Sequence, residues 1–129
     1  MMNRARYRAA LVLFAGCAAV ITASAGNLSF LANSPLSYFT PEDMNLMQEN
    51  SMRVLDAPGS SAKQSWSNAT TGASGWAQVR GQFTSSDGVP CKRLRIVNKA
   101  KGLQSDATYS VCKYPDRGWA FNADATPAK

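Results

Sequence analysis

A chain of 129 residues builds one domain at most, and the absence of histidine removes the commonest general base, pH switch and metal ligand together. Its 14 basic and 8 acidic side chains give a net charge of +6 at pH 7. Arg4, Arg6 and Arg8 supply three of those charges, so the remainder stands near +3 (11 basic against 8 acidic), too mild a balance to imply nucleic acid.

Residues 1–8 hold those arginines and no acid, residues 9–25 form an uncharged apolar run, and Ala23-Ser24-Ala25 supplies the small-residue exit of a secretory signal. Residues 1–25 therefore read as a signal peptide or an uncleaved membrane anchor, the run lying at the lower limit for a span. Cleavage after Ala25 leaves 129 − 25 = 104 residues, enough for a modest core. Phe14-Ala15-Gly16-Cys17 resembles the lipobox of bacterial lipoproteins, which makes Cys17 a lipidation candidate. Every one of these fates exports the chain: to the periplasm, to the periplasmic face of a membrane, or as an outer-membrane lipoprotein.

Residues 26–38 mix Leu28, Phe30, Leu31 and Leu36 with Asn, Ser and Pro, and read as an extended tether that packs partly on the domain. The domain then occupies residues 39–129. Thr40 suits an N-cap, Pro41 fits the first helical position, and Glu42 and Asp43 bring negative charge to the positive end of the helix dipole. Phe39 and Met44 stand where a hydrophobic staple needs them. The helix is predicted to run to about Asp56 and to stop at Ala57-Pro58-Gly59. Met44, Met47, Ser51, Val54 and Leu55 form its core-facing stripe.

Strands are predicted near Lys63–Asn68, Gly75–Thr84, Pro90–Asn98, Ala107–Tyr114 and Gly118–Asn122. Ala77, Val79 and Phe83 alternate with polar residues, as do Leu94 and Ile96, and Tyr109 and Val111. Turn signals such as Ser86-Asp87-Gly88 separate the runs, so the expected fold is α+β: one N-terminal helix on an antiparallel sheet of about five strands. Cys91 shares parity with Arg93 and Arg95, and Cys112 with Ser110 and Thr108, which places both cysteines on the polar face. Setting Cys91 opposite Cys112 also sets Leu94 opposite Tyr109, and an exported chain meets an oxidising compartment, so a disulfide between them is expected. Two cysteines without histidine complete no structural zinc site, and neither a metal nor another cofactor is expected.

Three fragments of this region occur in a distinctive order. They are Trp66-x-Asn68-x-x-Thr71-Gly72-x-x-Gly75, then Asp87-Gly88-x-x-Cys91, then Cys112-x-x-x-Asp116-x-Gly118-Trp119. In this order they resemble the C-terminal domain of the rickettsial surface-antigen outer-membrane lipoproteins, and the Phe39–Asp43 helix start resembles the one that precedes that domain. The resemblance covers residues 38–122 and implies a structural or antigenic role in the envelope, with no catalytic residues to carry over.

The residues themselves favour the same class. The acids are scattered, Asp87 and Asp116 sit in turns where aspartate serves geometry, and no Ser-x-x-Lys or Gly-x-Ser-x-Gly motif occurs. A noncatalytic, surface-antigen-like envelope protein is therefore expected. Its partner would be another envelope protein or an anionic surface, met through Arg80, Arg93 and Arg95, with the N-terminal segment at the membrane. The alternative is a small accessory subunit of a membrane complex, held by an uncleaved residue 9–25 helix.

Overall fold

The computed structural model describes residues 33–128. The expected leader, Cys17 and the tether as far as residue 32 lie outside the described residues. The last part of the tether is folded rather than extended: Pro35–Tyr38 forms a 3-10 turn capped by Ser34, whose Oγ accepts from the Leu36 N–H at 3.3 Å. Pro35 is buried there, and the turn rests on the sheet.

Helix α1 spans Pro41–Asp56 and starts with a reciprocal capping box. Thr40 Oγ1 accepts from the Asp43 N–H at 3.2 Å, and Asp43 Oδ2 accepts from the Thr40 N–H at 2.9 Å. Asp43 is thus more than a charge near the dipole. Phe39 is held edge-on against Trp66, with ring centroids 5.4 Å apart, and joins a cluster with Ala73 and Ala100.

The sheet is an antiparallel meander in chain order: β1 Lys63–Ser67, β2 Ser74–Thr84, β3 Pro90–Ala100, β4 Leu103–Tyr114 and β5 Gly118–Phe121. Cys91 pairs with Cys112, Arg93 with Ser110 and Leu94 with Tyr109, the register that parity predicts. Strands β3 and β4 are longer than expected because Lys101 and Gly102, both at positive φ (52° and 76°), make a two-residue hairpin turn. A lysine at positive φ carries no turn signal in the sequence, so residues 99–106 read as a connection.

A bulge changes the predicted face of one side chain. Val79 pairs with Leu94, but the next partner of β3, Arg93, faces Gly81, so Arg80 is the extra residue and parity reverses beyond it. Ala77 and Val79 are buried under α1, whereas Phe83 turns to the opposite face, across from Cys91. The cysteines are also not solvent-facing as expected: Cys91 and Cys112 are 2% and 0% exposed. The bulge sets Phe83 beside them, and the chain after β5 crosses this end of the sheet to reach the open edge of β2. There Ser85 bridges to Pro127, and the Ala128 N–H donates to Thr84 O at 2.8 Å.

The core lies between α1 and one face of the sheet. Val54 and Leu55 pack on Ala77, Val79, Leu94, Ile96 and Val111. Because α1 lies mainly over β1 and β2, the described residues leave the helix-side surface around Tyr109 on β4 and Phe121 on β5 open, while Val111 and Trp119 are packed against the helix.

Candidate functional site

The polar residues of the sequence motifs around Trp66 are taken up by the fold. Asp43, wholly buried, accepts from Asn68 Nδ2 at 2.7 Å and from Thr71 Oγ1 at 2.8 Å in addition to the Thr40 N–H. Burial pushes its carboxyl up, but hydrogen bonds from the Thr40 backbone, Thr71, Asn68 and the Thr40 side chain outweigh burial and hold it below the ordinary range. Asn68 Oδ1 accepts from the Thr70 N–H at 3.0 Å and Thr71 Oγ1 from the Ala73 N–H at 3.2 Å, which shapes the β1–β2 connection around Gly72 at φ 76°. At Gly75 a Cβ would stand 2.4 Å from Val97 O and 2.7 Å from Trp66 Nε1, so only glycine lets Trp66 lie across β2. Trp66, Asn68, Thr71, Gly72 and Gly75 therefore fasten the start of α1 to the first hairpin.

A second set fastens its end. Lys92 Nζ donates to Leu55 O at 2.7 Å and Ala57 O at 3.2 Å, satisfying carbonyls at the helix C-terminus. Trp119 Nε1 donates to Asp56 Oδ1 at 2.9 Å, and Lys92 and Lys113 stand 5.5 and 5.7 Å from its ring. Gly118, at φ 71°, turns the chain into β5 so that Trp119 faces the helix. The Cys91–Cys112 bond, with Cα atoms 4.0 Å apart, ties β3 to β4 beside this point.

The basic residues singled out in the sequence lie on the sheet face away from α1. Arg93 and Arg95 stand on it, opposite in parity to the buried Leu94 and Ile96. Arg80, exposed on the bulge, reaches the same side, its Nη1 donating to Gln78 Oε1 at 3.4 Å. The three arginines are not equivalent. Arg95 is clamped by Asp106 through two hydrogen bonds of 2.8 and 2.5 Å, and this pair lowers the Asp106 carboxyl and raises the guanidinium. Arg93 stacks on Phe83 at 5.1 Å, and neither it nor Arg80 forms an ion pair among the described residues.

Two members of this face were not anticipated. Lys63 Nζ lies 4.1 Å from the centroid of Trp76, and Arg95 Cζ lies 5.2 Å from the same ring. Lys63 joins the face because the β1–β2 register sets it opposite Gln78. That pairing runs through a turn shaped by Asn68 and Thr71, which spacing alone does not reveal. The face thus holds an aromatic ring between cations, bordered by Arg80 and Arg93.

The family described as 17 kDa outer membrane surface antigen matches residues 53–120, just over half of the chain. The match runs from the last turn of α1 into β5, and so contains most of both fastenings and the basic face. No curated protein and no solved structure matches the chain.

Proposed function

The chain belongs to the 17 kDa outer membrane surface antigen family, and from that premise we propose that it is a noncatalytic envelope domain that binds an acidic partner through the sheet face away from α1. One observation carries this reading. Lys63, Arg80 and Arg93 lie on one face without ion-pair partners among the described residues, beside the Trp76 ring. Cations gathered this way speed encounter with an acidic surface and make binding salt-sensitive, while the ring adds contact area that a merely solubilising face does not need. The motif polar residues favour a binding rather than a catalytic role, since Asp43, Asn68 and Thr71 spend their hydrogen bonds on the fold.

The partner we propose is an acidic protein of the envelope, met on the periplasmic side with the N-terminal segment at the membrane. Chemical crosslinking in intact cells, followed by identification of the captured proteins, tests this. Wild type should recover an acidic protein whose capture weakens as salt rises, and Arg80→Ser with Arg93→Ser should lose it. Undiminished, salt-independent capture by the double variant would remove the basic face from consideration.

A further inference from the structure

We propose that Leu28, Phe30 and Leu31, which lie just before the described residues, fill the apolar groove between α1 and strands β4 and β5. This groove is on the helix side, so the inference is independent of the basic face.

The groove has two adjoining parts, of about 440 and 410 Å³, that share Met47, Ile96 and Phe121. It exists because α1 covers only the β1–β2 half of the core face. Large apolar side chains are left open along it: Phe121 is 66% exposed, Met52 43% and Tyr109 42%. Tyr109 and Phe121 meet edge-on at 5.2 Å and form a wall that nothing else among the described residues covers. An apolar surface of this kind in an aqueous compartment calls for an occupant.

The position of the chain favours its own preceding segment. Asn33, Ser34 and Leu36 line one end of the groove, so the chain reaches the described fold at the groove's mouth. Residues 26–32 extend over about 23 Å at about 3.3 Å per residue. The groove floor along β4, from Ser105 to Val111, runs for about 20 Å at about 3.4 Å per residue, so the segment is long enough. In an extended chain Leu28 and Phe30 point to one side, which would meet the floor, and Leu31 the other way, towards α1. A segment joined covalently a few residues away is present at an effective concentration on the order of millimolar, which a free partner must exceed to displace it. Removal of the leader after Ala25, lipidation at Cys17 and retention of an anchor all leave these residues in place.

The test places the photocrosslinking residue p-benzoylphenylalanine at Phe121 in the full chain, a substitution its exposure tolerates. After irradiation, peptide mapping should find the adduct within residues 26–32 of the same chain, with a yield independent of protein concentration. An adduct on a second copy, on another protein or on lipid, or no adduct within 26–32 at all, overturns the proposal. The triple change Leu28→Ser, Phe30→Ser and Leu31→Ser should abolish the adduct and lower the melting temperature by several degrees. An unchanged melting temperature would overturn it as well.

Discussion

Asp43 is a buried carboxylate that exists as a charge only because its surroundings supply donors: the Thr40 amide, Asn68 and Thr71. Its carboxyl is held below the ordinary range, so its stabilising contribution is fully present above the unfolded value of about 3.9 and is lost as pH falls through the folded value. Urea unfolding should therefore show a loss of stability as pH falls below about 4, and Asp43→Asn should flatten that loss. At pH 7 the same change turns an amide group towards the Thr40 N–H, donor against donor, and should cost about 2–3 kcal/mol. A variant as stable as wild type would show that the network contributes nothing. Gly75→Ala drives a methyl group into Val97 O and the Trp66 indole, and should cost at least about 2 kcal/mol or prevent folding.

At the scale of elements, α1 is secured at each end by side chains from the sheet. Lys92→Met keeps the aliphatic stem but leaves Leu55 O and Ala57 O without their donor, and should cost about 1–2 kcal/mol. Hydrogen exchange localises the effect: amides of the last turn of α1 should exchange faster while those near Thr40 keep their protection. Equal acceleration along the helix would contradict a separate C-terminal fastening. Reducing the Cys91–Cys112 bond should cost about 3 kcal/mol in the chain-entropy account of a loop this size. The helix cap, the meander and the cysteine pairing were legible in the sequence because each depends on local chemistry or on strand parity. The bulge at Arg80 and the turn at Lys101-Gly102 were not, since an arginine does not mark a bulge and a lysine does not mark the first position of a turn that needs positive φ, although Gly102 suits the second. The same limit hid the site. Parity identified Arg93 and Arg95 as a pair, but Asp106, which neutralises Arg95, lies on a part of β4 that read as a connection.

Taken as a whole, the proposed function gives the two faces of one sheet different work. The family motifs hold α1 on one side, and the other side presents Lys63, Trp76, Arg80 and Arg93. Stability and recognition should therefore respond to different residues. Arg80→Ser with Arg93→Ser should change stability by no more than about 0.5 kcal/mol, as exposed substitutions usually do. The most direct measurement compares melting temperature and crosslinked partner recovery, well below any melting transition, for that double variant and for Asp43→Asn. A lowered melting temperature with intact recovery is expected for Asp43→Asn, and the reverse for the arginine pair. Loss of recovery in Asp43→Asn while the arginine variant binds normally would contradict the division and place recognition on the helix side.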